Sequence, residues 1–237
     1  MIFLPFFRWH PEVALRYIPV VRQIRSLGET VSVLDVGSGG MGIAPYLGRR
    51  VVGIDPLFNP PFHPYLKRVV GSILSLPFQP SSFDAVVCVD MLEHIGKSQR
   101  KIAIQELIRV AAKKMILAVP CGKLAYEQDK ILSSVYEKVF GKEYPYLKEQ
   151  MDSGLPDAST VRYYIDQAGK KYQKVLSVQI VDNENLKLRY FLMKGWMTKN
   201  IFIDFFFRKV MLFALPLLQQ FNTTPAYRKI FIVDIIK

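Results

Sequence analysis

The chain has 237 residues, half of them hydrophobic and 22% charged, so it can build a sizeable core and is not a disordered polymer. Its formal net charge of +12 calls for an anionic partner: a membrane surface, a phosphorylated substrate or nucleic acid. The Lys and Arg residues are scattered and form no basic arm, which ranks nucleic acid below a membrane or an anionic metabolite. Cys88 and Cys121 sit in or beside apolar runs without metal-ligand spacing. They read as half-buried thiols of a reducing, cytoplasmic setting rather than a disulfide framework.

The apolar start, Met1 to Phe7, has no basic leader and is cut short by Arg8, Trp9, His10 and Pro11, so it reads as a poor secretory signal. Residues 12–27 place Val13, Leu15, Ile18, Val21 and Ile24 on one side and Arg16, Arg22 and Arg25 on the other. That pattern predicts an amphipathic helix stopped by Gly28, and residues 1–28 form an N-terminal helical segment. Val31 to Val36 is then a first buried strand. It carries Asp35 and runs straight into Gly37, Ser38, Gly39, Gly40, Met41 and Gly42, a turn bare enough for a ligand to lie against. A helix is expected near Ile43.

Residues 50–55 form a second strand ending in Asp55 and Pro56. Asp55 lies about 20 residues past the first acid, the spacing at which a carboxylate meets a ribose; a helix cap before Pro56 is the plainer alternative. The proline-rich stretch 59–64 is loop. Short strands follow at 67–72 and 82–90, a helix at 98–110 and a fifth strand at 114–119. Strands alternating with helices specify an α/β class with a parallel sheet. Residues 121–170 form a longer connection with a helix at 161–168 closed by Gly169, 173–181 a sixth strand, and 227–236 the last.

Asp90, Glu93 and His94 fall at i, i+3 and i+4, which would share one helical face. Three readings stand: His94 as a general base, a divalent-cation site for which no later histidine supplies a ligand, or residues that merely shape a pocket. The stretch from 200 to 218 is apolar and approaches the length of a membrane span. Asp204, Arg208 and Lys209 interrupt it and Pro216 breaks its end, so a span is disfavoured. With Lys187, Arg189, Lys194 and Lys199 nearby, residues 184–221 suit an in-plane membrane helix or a cap over a lipid-linked substrate. A packed helical pair or a homodimer face is the alternative.

This order of motifs resembles the class I S-adenosylmethionine-dependent methyltransferases. The resemblance is closest to the small-molecule type whose fourth-strand motif ends in Leu-Glu-His, here Leu92-Glu93-His94. It rests on the acidic-x-Gly-x-Gly loop from Asp35, on Gly53-Ile54-Asp55, on Gly71-Ser72-Ile73 through Leu76-Pro77-Phe78, on Phe83-Asp84 through Asp90-Met91, and on Glu106 to Val110. It covers residues 31–120 well, as the cofactor-binding half, and 121–183 loosely, as a substrate-side half similar to bacterial saccharide-pathway methyltransferases. The resemblance implies a Rossmann-like, doubly wound, mostly parallel seven-stranded sheet with an antiparallel last strand and a helical insertion before it. It implies S-adenosylmethionine as cofactor, held by Asp35, Gly37, Ser38, Gly39, Gly40, Gly42, Asp55, Pro56, Ser72, Ile73, Asp90 and Met91. The expected product pair is a methylated small-molecule, glycan or lipid-linked acceptor and S-adenosylhomocysteine, with the cytoplasm or the inner membrane face as the place of action. Ser72 stands where the family often has an acid near adenine. A non-catalytic binding protein at a membrane surface is the competing reading. A nicotinamide oxidoreductase is disfavoured, because Asp35 would repel a pyrophosphate.

Overall fold

The computed structural model describes residues 9–236; the apolar start, and the secretory reading made on it, lie outside them. Helix α1 (Pro11–Arg25) precedes β1 (Val33–Val36), the one-turn α2 (Ala44–Leu47), β2 (Val51–Asp55), β3 (Leu66–Val70) and β4 (Phe83–Val89). Helix α3 (Arg100–Val110) runs directly into β5 (Ala111–Pro120). Then come α4 (Gly122–Phe140), α5 (Pro145–Ser153), α6 (Ala158–Lys171), β6 (Val175–Asn185), α7 (Leu186–Trp196), α8 (Ile201–Arg208), α9 (Leu215–Leu218) and β7 (Ala226–Ile236).

The seven strands form one sheet in the order β3-β2-β1-β4-β5-β7-β6. All neighbours are parallel from β3 to β5; β7 runs antiparallel between β5 and β6. This is the doubly wound, Rossmann-like sheet with an antiparallel last strand. Strand periodicity sorts the core into two layers. Val33, Ala85, Val87 and Ile116 face α1, where Ala14, Leu15, Val20 and Ile24 are fully buried. Leu34, Val36, Val86 and Cys88 face the opposite layer, built from Ile104, Leu107 and Ile108 of α3 and Ile165 of α6. Both thiols are buried rather than half-buried, Cys88 completely, and both are free.

Three local expectations fail for identifiable reasons. Gly169 does not close its helix: α6 continues to Lys171, and Gly169 is the point where the helix packs on β6, since a Cβ there would lie 2.7 Å from Leu176. The fifth strand starts at Ala111, earlier than expected, because Ala111 pairs with Phe83 across an irregularity in β4. The sixth strand extends to Asn185, held by pairing with β7 as far as Ala226.

Between β6 and β7 the chain is helical. Leu192 of α7 and Leu215 and Leu218 of α9 pack on the α1 layer, whereas α8 buries no residue. Among the described residues no helix is long and apolar enough to cross a membrane.

Candidate functional site

The loop after β1 needs its glycines. Gly37 has φ +77° and would drive a Cβ to 2.4 Å from the Met91 side chain; Gly42 has φ +50° and would place one 2.2 Å from the Asp35 carboxylate. A Cβ on Gly39 would meet nothing, so its backbone is bare on the open side of the loop. The Gly37 N–H donates to Ile54 O at 2.8 Å, which ties the crook to β2.

Asp35 lies beneath this crook and not on its open side. It is 1% exposed, and its Oδ2 accepts from the Ile43 N–H at 2.7 Å. Burial pushes its pKa up to about 7, against the Ile43 N–H and with help from the charge of Asp55. Asp55, at the C-terminal end of β2, accepts from the Gly39 and Leu57 N–H groups, each at 3.0 Å. Ser72 and Ile73 stand apart: the Ser72 hydroxyl accepts from the Leu74 N–H at 3.2 Å, and Ile73 is a core residue at 3% exposure.

Asp90, Glu93 and His94 do not share a helical face. Asp90 leaves β4 with φ +48°, and only Leu92–His94 form a single tight 3-10 turn. The three side chains therefore part company. Asp90 receives Arg228 through two hydrogen bonds, 2.5 and 2.6 Å, and lies 3.0 Å from Arg16 Nε. Burial alone would raise its pKa; the charges of Arg16 and Arg228 outweigh burial and hold it below the usual carboxylate range. Glu93 is fully buried, and burial followed by the charge of Asp90 pushes its pKa well up. The His94 ring places Nδ1 2.9 Å from Glu149 Oε2 and Nε2 3.5 Å from the Gln150 amide.

These parts surround a cavity of about 780 Å³ at the C-terminal ends of β1 and β4, where the strand order reverses and ligands of open α/β sheets bind. One wall is Gly37, Ser38, Gly39, Gly40, Asp55, Pro56 and Met91; Asp90 and His94 lie on it too. Asp35, Gly42, Ser72 and Ile73 support the wall or lie away from it. The facing wall carries Tyr144, Tyr146 and Gln150 around α5, from the expected substrate-side half, and residues the sequence did not mark as site: Glu12 and Arg16 from α1, Arg189 and Met193 from α7, and Tyr227 and Arg228 from β7. Arg228 is 0% exposed and also bonds Asn183 Oδ1 at 2.9 Å and Glu184 at 3.2 Å. Arg189 is 2.7 Å from Asp129 and 3.4 Å above the Tyr227 ring, whose hydroxyl contacts Gln150 Oε1 at 3.2 Å. Their only local signal is an arginine set inside an apolar run, a residue that is rarely buried without charged partners.

Residues 34–119 match the family model of a methyltransferase domain. That segment, just over a third of the chain, is similar to methyltransferase domains. No curated protein matches the chain. Among solved structures, the methyltransferase fold recurs at low identity. The complex of the Haloferax volcanii Trm112 methyltransferase activator with a presumed methyltransferase is similar at 14% identity, with 94% of this chain, 90% of that one and a TM-score of 0.55. The methyltransferase domain of the bacterial CtHen1-C protein matches at 12%, over 94% and 98%, with a TM-score of 0.54. A possible histamine N-methyltransferase from Thermotoga maritima matches at 13%, over 99% and 93%, with a TM-score of 0.53. At such identities the likeness is one of fold. The glycine wall has the chemistry S-adenosylmethionine would need: bare backbone at Gly39 beside a carboxylate, Asp55, that has acceptor capacity to spare.

Proposed function

We propose that the chain transfers a methyl group from S-adenosylmethionine to a small polar acceptor, a free or lipid-linked glycan unit being the class that best suits the lining. The observation that carries this reading is one cavity with two unlike walls: bare glycine backbone and Asp55 on one side, tyrosines, arginines and a histidine–glutamate pair on the other. Asp55 would accept from the ribose hydroxyls, with the 37–40 backbone and Met91 flanking the rest of the cofactor. Asp35 acts from below, holding the Ile43 N–H and with it the shape of the loop. Asp90 serves as a brace, since both its oxygens are taken by Arg228 and Arg16.

S-adenosylmethionine supplies the electrophilic methyl group when bound. The chain's own residues supply position and a proton acceptor. Glu149 fixes the His94 ring through Nδ1, and Nε2, in only a long contact with the Gln150 amide, would take the proton of an acceptor hydroxyl that displaces it. Tyr144 and Tyr146 offer ring faces and hydroxyls against a sugar-sized molecule, and Gln150 links the buried Tyr227 to His94. Holding the acceptor oxygen in line with the donor provides much of the acceleration in such a transfer.

The test is label transfer from methyl-labelled S-adenosylmethionine to a panel of polar acceptors. Turnover that falls about 100-fold in His94→Gln, with cofactor affinity unchanged, supports the reading. Cofactor binding without turnover on any acceptor would instead favour the non-catalytic binding protein.

A further inference from the structure

Helix α8 presents large apolar side chains outward. Ile201 is 74% exposed and Phe202 82%, and Ile203, Phe205 and Phe206 are exposed as well. Phe202, Phe205 and Phe206 fall at i, i+3 and i+4 and share a face. The helix is nevertheless well built. Asn200 caps it by accepting from the Phe202 and Ile203 N–H groups at 3.0 and 3.2 Å, and Asp204 pairs with Arg208 at 2.6 Å. It is anchored from behind, where the Phe207 ring packs on Gly195 and Phe191 of α7 and Arg208 lies 4.9 Å over Trp196. A braced helix that exposes a contiguous aromatic face is an interaction surface.

Charge selects the occupant. Between residues 186 and 221 the chain has six Lys or Arg residues and one acid, Asp204. Lys187, Lys194 and Lys199 are exposed, and Arg22 of α1 joins the rim through its hydrogen bond to Gln219. A second copy of this chain would bring the same positive rim against itself. An anionic bilayer meets both features: its headgroups complement the lysines, and its interface accepts Phe and Ile side chains. We propose that α8 is a membrane-docking element that inserts its Phe202–Phe205–Phe206 face into the interface of an anionic bilayer, with the helix lying in the membrane plane.

Flotation with vesicles of phosphatidylcholine containing about one third phosphatidylglycerol tests this. The full chain should float with these vesicles, at least ten times less with phosphatidylcholine alone, and less as salt screens the lysines. Phe202→Glu with Phe206→Glu should abolish flotation while leaving the thermal unfolding midpoint unchanged, because neither side chain is buried. Lys194→Gln with Lys199→Gln should weaken it several-fold. Failure to float with anionic vesicles, or equal flotation of the Phe202→Glu/Phe206→Glu variant, would overturn the proposal. So would a dimer in sedimentation that this variant dissociates, since a second copy would then own the face. None of these outcomes depends on methyl transfer.

Discussion

The crook between β1 and β2 and the α8 face expose opposite things. The crook strips side chains away and leaves bare backbone at Gly39, backed by fully buried neighbours such as Leu34, Val36 and Ile54. Helix α8 offers bulky rings and buries none of its own residues. A rigid, bare surface suits a ligand recognised atom by atom; an exposed aromatic face suits a partner that yields to it. Core contact therefore decides how a substitution acts in each region: in the first it changes stability and ligand together, in the second it changes association alone.

The comparison breaks most visibly at Arg228. It is fully buried between Asp90, Glu184 and Asn183, so Arg228→Met leaves the buried Glu184 without its cation and Asp90 with Arg16 alone. Unfolding by denaturant should show a loss of about 3–5 kcal/mol, the cost of a buried charge stripped of its partner. Gly42→Ala should cost about 2–4 kcal/mol, because the left-handed backbone strains any side chain and the new Cβ meets the Asp35 carboxylate. Asp55→Ala should weaken S-adenosylhomocysteine binding about 10–100-fold, the worth of hydrogen bonds to a charged acceptor, with a smaller effect on folding.

The pH dependence separates two kinds of buried acid. Asp35 is raised from 3.8 to about 7, chiefly by burial, so the folded state keeps its proton longer than the unfolded chain. Its contribution to stability is full below about pH 4 and is lost as pH rises to about 7, by at most ~1.4 kcal/mol per pH unit. Asp35→Asn keeps an acceptor for the Ile43 N–H and should flatten that decline in urea melts between pH 4 and 7. Glu12 has the opposite sign. Burial would raise it, but Arg16 holds it at about 2, so its contribution is present above about pH 4.5 and fades as pH falls toward 2. The smallest effect belongs to α8: Phe202→Glu should change the unfolding free energy by less than about 0.5 kcal/mol, as for other exposed positions.

What the sequence discloses follows the same division. Alternating apolar runs, acids at strand ends and clustered glycines are local signals, and the sheet and the crook follow from them. The facing wall is assembled over long separations: Arg228 meets Asp90 across 138 positions, and Glu149 meets His94 across 55. No short-range pattern encodes such pairs. The i, i+3, i+4 spacing of Asp90, Glu93 and His94 misleads because one left-handed residue, Asp90, redirects the chain at the strand end. The exposure of α8 was foreshadowed by its composition, but the sequence left open whether a neighbour covers it.

The most direct test of the central claim is calorimetric titration of the purified chain with S-adenosylhomocysteine, alongside Asp55→Ala. The account predicts one site per chain and a marked loss of affinity in the variant. Absence of binding heat in the parent chain, or equal affinity in both, would contradict it.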